Sequence, residues 1–156
     1  MEIRLRAARR GVLGFTLIEL MVTILIVSVL VSFAIPAYQS QVRKSRRTEA
    51  RTALLDLAAR EERYMAAKNS YTDVATDLGY TSTELPGPVG SGYYKLEVTS
   101  VAIGTAAAAP TFVLTASAVA GAGQDKDTSC AKFIVDQTGA QTSKDSGGAV
   151  TTSCWK

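Results

Sequence analysis

The stretch Gly14-Phe15-Thr16-Leu17-Ile18-Glu19 opens the part of the chain that decides the fold. It is followed by residues 20–38, which contain no charged side chain. As an α-helix this run would be about 28 Å long, close to the thickness of a bilayer hydrocarbon core. The sequence therefore predicts a membrane-length helix with one carboxylate, Glu19, near its amino end.

The residues before this stretch are basic, with four arginines against a single glutamate in residues 1–14. A basic start followed by an apolar run is also typical of an ordinary secretory signal, and Ser32-Phe33-Ala34 would supply its small-residue cleavage site. Two features count against this alternative. The apolar run is longer than a typical signal core, and it contains Glu19.

Residues 39–69 continue with good helix formers and contain no glycine or proline. Apolar side chains recur every three or four positions until Glu61 interrupts the face; they are Ala50, Leu54, Leu57, Ala58 and Met65. We expect one helix over residues 15–68, apolar in its first half and amphipathic in its second. Pro36 should bend it, because proline removes a backbone hydrogen bond and its ring clashes with the preceding turn.

The remaining chain has the pattern of a small sheet. Residues 69–92 contain prolines, glycines and serines and predict a loop. Residues 93–99, 111–116 and 132–136 are rich in β-branched and aromatic side chains and predict strands. Strands without intervening helices favour an antiparallel sheet, here over residues 93–142, which helix 39–68 would cover. The predicted fold class is therefore α+β.

Charge is distributed unevenly along the chain. Residues 70–156 carry five lysines against eight acidic side chains, which argues against a nucleic-acid platform. The helical cluster Arg43, Lys44, Arg46 and Arg47 is interpreted first as a solvated face, with contact to lipid headgroups or DNA as alternatives. Asp125-Lys126-Asp127 is interpreted as a solvated turn, because too few further ligands follow it for calcium.

The sequence contains no histidine, so the usual general base and the commonest metal ligand are missing. We therefore expect no catalytic residue, no metal site, no cofactor and no enzymatic activity. Cys130 and Cys154 fit one disulfide in a chain with an export-like start, although two free thiols remain an alternative. A disulfide would place the sheet domain outside the cytoplasm.

Residues 14–21, Gly-Phe-Thr-Leu-Ile-Glu-Leu-Met, closely resemble the type III signal sequence of type IV pilins and pseudopilins. The resemblance implies that a membrane peptidase cuts after Gly14 and methylates the new amino terminus at Phe15. It also implies that Glu19 pairs with the terminal amine of an adjacent subunit. Ile35-Pro36-Ala37-Tyr38 resembles the segment that kinks the helix in that family, whereas Ser28 stands where the family commonly has glycine.

The resemblance implies a kinked amino-terminal helix packed on a small antiparallel sheet with a carboxy-terminal disulfide loop. Residues 1–14 would be a leader that is removed, residues 15–38 the transmembrane and assembly half of the helix, and residues 39–156 a periplasmic head ending in the loop 130–154. The expected function is that of a structural subunit of a type IV pilus, a small minor pilin of the type IVa kind.

The expected partners are the prepilin peptidase and methyltransferase, other pilin subunits, and the inner membrane before assembly; nucleic acid is not among them. Three alternatives remain. A pseudopilin of type II secretion shares the leader, but the cysteine pair argues against its disulfide-free major member. A competence pilin for DNA uptake would need a basic stripe on the sheet domain. A secreted enzyme cut after Ala34 would need a nucleophile and base that the sequence does not supply.

Overall fold

The computed structural model describes residues 14–81, 84–106 and 108–155. Apart from Gly14, the predicted leader lies outside the described residues. The chain divides into two compact units, residues 1–39 and residues 40–156. Each unit is therefore described by itself.

Helix α1 runs over Leu17–Lys68 and contributes to both units. It begins two residues later than predicted, because the Thr16 hydroxyl oxygen caps it by accepting a hydrogen bond from the Glu19 N–H at 3.3 Å. It ends before Asn69, whose φ of 54° lies in the left-handed region that commonly terminates helices. Pro36 lies inside the helix, and the bend assigned to it stays a prediction.

The first unit contains the apolar part of α1. Its side chains are exposed throughout, and the segment is long and apolar enough to cross a membrane. An exposed apolar stripe of this length is unfavourable in water and is typical of a segment that lies in lipid or among other apolar helices. Length and composition alone support this interpretation.

The second unit contains a six-stranded antiparallel sheet in which every strand pairs with its neighbour in the chain. The strands are β1 (Gly87–Val89), β2 (Tyr94–Ala102), β3 (Thr111–Ala118), β4 (Lys132–Asp136), β5 (Gln141–Lys144) and β6 (Val150–Thr151). A short 3₁₀ helix, Ala75–Leu78, lies between α1 and the sheet in the chain.

The predicted strands correspond to β2, β3 and β4, whereas β1, β5 and β6 were not predicted. Part of the predicted loop 69–92 and part of the loop 130–154 are therefore strand, and the sheet extends on both sides of residues 93–142. The missed strands are short, and β5 has the polar sequence Gln141–Lys144. Hydrogen bonds from β4 hold β5 in place whatever its side chains, so periodicity could not reveal it.

The core of the second unit lies between α1 and one face of the sheet. Helix residues Ala50, Leu54 and Leu57 and the sheet residues Leu96, Phe112, Leu114, Phe133 and Val135 form one buried cluster. Each large apolar side chain buried here contributes about 1.5–3 kcal/mol. The arrangement confirms the α+β class with a helix packed on an antiparallel sheet.

Cys130 and Cys154 form a disulfide whose Cα atoms lie 5.8 Å apart. The bond confirms the predicted pairing and makes the alternative of two free thiols wrong. It closes the segment that contains β4, β5 and β6, and both cysteines belong to the buried core.

Candidate functional site

The residues of the amino-terminal motif are exposed and are not covered by the rest of the chain. Phe15 is 86% exposed, Glu19 is exposed, and no atom lies within 4 Å of the position that a Cβ would take on Gly14. The Thr16 hydroxyl and the Glu19 N–H form half of a capping box, the reciprocal arrangement in which a threonine and a glutamate three residues later satisfy the first turn of a helix. This bond uses the backbone of residue 19, so it explains where the helix begins and leaves the Glu19 carboxylate available for another contact.

Three serine and threonine hydroxyl groups lie within the apolar segment, and each donates to a carbonyl oxygen of its own helix. Thr23 donates to Glu19 O at 2.6 Å, Ser28 to Leu25 O at 2.8 Å and Ser32 to Val29 O at 2.7 Å. Internal bonds of this kind lower the cost of placing a hydroxyl in lipid.

The basic cluster after the apolar segment is only partly a solvated face, so the first interpretation of it is corrected. The guanidinium carbon of Arg46 lies 3.4 Å from the centre of the Tyr93 ring. Arg47 donates two hydrogen bonds to Asp127, each 2.7 Å long. Two of the four basic side chains are therefore used inside the head, because the helix face that carries them packs towards the sheet.

Asp127 does not belong to a solvated turn, contrary to the interpretation of Asp125-Lys126-Asp127. Its side chain is only 4% exposed, and it accepts a further bond from the Gln124 amide at 3.0 Å. The same amide group lies 2.9 Å from the Tyr94 hydroxyl. The Asp127 hydrogen bonds raise the pKa of Arg47 above its ordinary value, and burial raises the pKa of Tyr94 to about 12. The network joins the helix, β2 and the segment before Cys130.

Glu61 is fully buried, although the sequence placed it as an interruption of the apolar face. Its Oε2 accepts the Thr72 N–H at 3.2 Å, and its Oε1 has no hydrogen-bond partner among the described residues. Burial raises the pKa of this carboxyl to about 7. The helical spacing of the apolar side chains places Glu61, but not Glu62, on the face that packs inwards, so its position was visible in the sequence although its full burial was not.

The face of the sheet that points away from the core carries a row of lysines. Strand register places Lys95 opposite Ser117, Ser117 opposite Lys132, and Lys132 opposite Lys144, so the row crosses β2, β3, β4 and β5. We call these four residues the lysine row. Each of its lysines is next in the chain to a buried residue, and side chains alternate along a strand, so the lysines point outwards, whereas Ser117 between them is buried.

The acidic side chains nearest to the row in register are Glu97 and Asp136. The Glu97 carboxylate lies 3.2 Å from the Lys95 ammonium group and forms an ion pair with it. Asp136 accepts three hydrogen bonds from Thr138 and Ala140 at the turn after β4, which lower its pKa. In the part of the chain that the structure describes, no group of three or more His, Cys, Asp or Glu side chains could hold a metal ion.

Two family models match the chain. Residues 9–35 match the prokaryotic N-terminal methylation motif, and residues 36–134 match the model described as type IV minor pilin ComP, DNA uptake sequence receptor. The first covers the amino-terminal motif and most of the apolar segment. The second covers the rest of α1 and the sheet as far as β4.

Curated relatives agree with these matches. The chain is 36% identical over 67 residues to the type IV major pilin protein PilA of Myxococcus xanthus, covering 43% of this chain and 30% of the relative. It is 37% identical over 76 residues to fimbrial protein Q of Moraxella bovis, covering 45% and 48%. It is 34% identical over 98 residues to a fimbrial protein of Pseudomonas aeruginosa, covering 59% and 62%. The chain thus spans between about a third and three fifths of the length of these relatives.

The helix, the sheet, the disulfide and the motif at Gly14 together define a type IV pilin. The chain belongs to this family, and within it to the group that the ComP minor pilin model describes. The named relatives are pilins and fimbrial proteins rather than enzymes.

Proposed function

We propose that this chain is a minor subunit of a type IV pilus. In this proposal the precursor sits in the inner membrane through residues 15–38, with residues 39–156 as a periplasmic head. The peptidase removes residues 1–14 and methylates Phe15, and the subunit then enters the fibre. The match of residues 9–35 to the methylation motif is the observation that carries the proposal.

Glu19 has the surroundings that an assembly contact requires. It is the only charged side chain in residues 15–38, it is exposed, and a free amine at Phe15 would lie four residues before it. A carboxylate in an apolar environment is costly unless it has a partner. The amine of a neighbouring, axially shifted subunit would supply that partner and would set the shift.

The head is assigned to the periplasm because of the disulfide. Bonds of this kind persist in oxidising compartments and are rare in the cytoplasm. The Cys130–Cys154 bond therefore favours an orientation in which residues 39–156 face the periplasm. This orientation can be tested by introducing a cysteine at exposed Ala109 and labelling intact spheroplasts with a membrane-impermeant thiol reagent. Labelling is expected; protection of that thiol would mean that the head faces the cytoplasm.

Processing is tested by recovering the protein from sheared surface fibres. Amino-terminal sequencing and intact mass should give a chain that begins with methylated Phe15. Removal of residues 1–14 from the 156-residue chain leaves 142 residues. A mature chain beginning at Ile35 would show an ordinary signal peptide instead and would remove the proposed assembly role of Phe15 and Glu19.

A second candidate function is DNA uptake as a competence pilin. The match of residues 36–134 to a model described as a DNA uptake sequence receptor favours it, and the lysine row supplies the basic stripe that this function requires. The net charge of residues 70–156 argued against this function. Net charge does not reveal, however, that the fold places several lysines in one row. The test is transformation frequency in a strain that lacks this chain: normal frequency with normal piliation would leave only the fibre function.

A further inference from the structure

We propose that Glu61 is a proton-operated latch for the segment that follows α1. With a proton on this carboxyl, residues 70–77 stay closed against the helix. Loss of the proton favours an open form in which these residues leave the helix while the sheet stays folded. We call residues 70–77 the latch segment. The movement takes place within the head, so it depends on neither of the two proposed functions.

Glu61 holds the latch segment to the buried side of α1. Its side chain is fully buried, and its Oε2 accepts the Thr72 N–H at 3.2 Å. Oε1 has no hydrogen-bond partner among the described residues. A buried carboxylate is stable only when several donors or a cation compensate its charge, and a single N–H does not do so. The closed form therefore favours the protonated carboxyl.

The latch segment is tied together by bonds that would survive its release. The Thr72 hydroxyl donates to Asp77 at 3.4 Å and accepts the Val74 N–H at 3.1 Å. The Asp77 N–H donates in turn to the Val74 carbonyl oxygen at 3.1 Å. Because these contacts lie within the segment, we expect residues 72–77 to move as one unit.

Fixed residues mark both ends of the latch segment. On one side lies Asn69, whose φ of 54° ends α1. On the other side Arg60 donates to the Leu78 carbonyl oxygen at 2.9 Å, and the Leu78 side chain is buried in the core. The open form therefore releases the residues between these two points and leaves both ends in place.

One aromatic contact and two hydroxyl bonds oppose opening. The Tyr71 ring packs edge-on against Phe112 with 4.7 Å between the ring centroids, and its hydroxyl donates to Glu62 at 3.0 Å. The Tyr64 hydroxyl of α1 donates to Asp77 at 3.2 Å. We expect these contacts to keep the closed form in the majority, so the proton changes how often the latch segment opens.

The charges around Glu61 oppose its ionisation. Titratable groups face it from α1 and from the latch segment, which includes most of the 3₁₀ helix; they are Glu62, Tyr64, Tyr71, Asp73 and Asp77. Burial is the main cause that raises the pKa of Glu61 to about 7, and the Glu62 and Asp73 carboxylates act in the same direction. The pKa of both tyrosine hydroxyls is raised above its ordinary value of 10, so both stay neutral. The sheet residues of the buried core carry no charge.

The expected pH dependence follows from proton linkage. In the open form Glu61 meets water and returns to its ordinary pKa of 4.5. Between pH 4.5 and about 7 the closed form holds a proton that the open form has released, so the opening constant rises about tenfold per pH unit. It levels off above this window, after a total rise of about 300-fold.

The test is hydrogen–deuterium exchange of the full chain in neutral detergent between about pH 5 and pH 8, read by mass spectrometry. One reporter peptide contains the latch segment and a second contains β4. The protection factor, which is the intrinsic exchange rate divided by the observed rate, should be lower in the latch segment than in β4 at every pH. In the latch segment it should also fall about tenfold per pH unit up to about pH 7.

Two variants assign the pH dependence to one carboxyl. Glu61→Gln should abolish it in the latch segment. Glu49→Gln is the matched control and should leave it unchanged, because Glu49 also lies on α1 and accepts a loop N–H, that of Ser91, outside the latch segment. The wild-type comparison of the two peptides stands without any variant.

Three outcomes would overturn the proposal. Equal protection of the two peptides at every pH would show that the latch segment opens only when the whole head unfolds. Protection of the latch segment that does not change with pH would show that no proton controls it. A pH dependence that persists in Glu61→Gln would assign the proton to another group.

Discussion

The backbone N–H of Thr72 donates a hydrogen bond to Oε2 of Glu61 at 3.2 Å, and so ties the loop after α1 to a carboxyl group that is fully buried. The second oxygen of that carboxyl has no partner among the described residues. Burial favours the protonated form, and the nearby Glu62 and Asp73 carboxylates act in the same direction, so the pKa rises from 4.5 to about 7. Asp77, from the 3₁₀ helix, is a fourth acidic group in this region and accepts hydrogen bonds from the Tyr64 and Thr72 hydroxyls.

Glu61→Gln should stabilise the head at neutral pH. In wild type the folded state holds a proton between pH 4.5 and about 7 that the unfolded state releases, so stability falls as the pH rises through this window. The free energy of unfolding should drop by about 2–3 kcal/mol across it, and glutamine should remove the drop. Urea unfolding in neutral detergent at several pH values measures this; Glu62→Gln is the matched control, and the same pH dependence in both variants would contradict the prediction.

Asp127→Asn should destabilise the head far more than a comparable change on the surface. It removes the carboxylate that holds Arg47, whose side chain is only 20% exposed, and breaking a buried pair typically costs about 3–5 kcal/mol. Asp56→Asn is the control, since the exposed Asp56–Arg60 pair is spaced i,i+4 and should contribute less than about 1 kcal/mol. Equal shifts in the urea midpoint for the two variants would mean that the Asp127–Arg47 pair contributes no more to stability than the exposed Asp56–Arg60 pair.

Loss of the disulfide should lower the stability of the head. A closed loop of about 25 residues contributes roughly 3–4 kcal/mol in the loop-entropy model. Cys130→Ala and Cys154→Ala should therefore unfold at lower denaturant concentration, and by similar amounts, because each variant opens the same loop. Alkylation of unreduced wild type in denaturant should modify neither cysteine; modification of both would show that the bond does not form in the cell.

Glu19→Gln should reduce entry into the fibre while leaving the helix start intact. The Thr16 hydroxyl accepts from the backbone N–H of residue 19, which glutamine keeps, so this bond should survive and only the charge is lost. Loss of one partner of a buried pair, at about 3–5 kcal/mol, would lower incorporation by a factor of hundreds or more. The ratio of sheared-fibre to membrane pools, with the variant as sole copy, measures this.

Thr16→Ala separates the role of this turn in capping the helix from its role in assembly. It removes the cap and keeps the carboxylate, so incorporation should stay close to wild type. Normal incorporation of Glu19→Gln, with Thr16→Ala defective, would show that assembly depends on the Thr16 cap and not on the Glu19 carboxylate.

The long helix and the three apolar strands could be predicted because their side chains repeat with the period of the structure. Strand β5 could not, because its four residues are polar and its position depends on hydrogen bonds from β4. The role of Asp127 was missed for a related reason. Its partner Arg47 is distant in the chain, and only the folded head brings the two together.

The lysine row could not be predicted for the same reason, because only the fold brings its residues together. Lys95, Lys132 and Lys144 are scattered in the sequence among more numerous acidic residues, so their summed charge is misleading. Strand register aligns them, and register between distant segments is fixed by the core pattern of the whole sheet. The disulfide and the motif at Gly14 needed no such alignment, since a pair of cysteines and a contiguous stretch are visible directly.

The disulfide also determines how this molecule can be labelled. The chain has two cysteines, and both are consumed by the Cys130–Cys154 bond, so no native thiol competes for a maleimide dye. A cysteine introduced at Ala109, which is exposed in the β2–β3 connection, would be the single reactive thiol of the subunit. Fluorescent labelling of living cells could then count this subunit fibre by fibre, and would separate a rare component from a major one by its brightness alone.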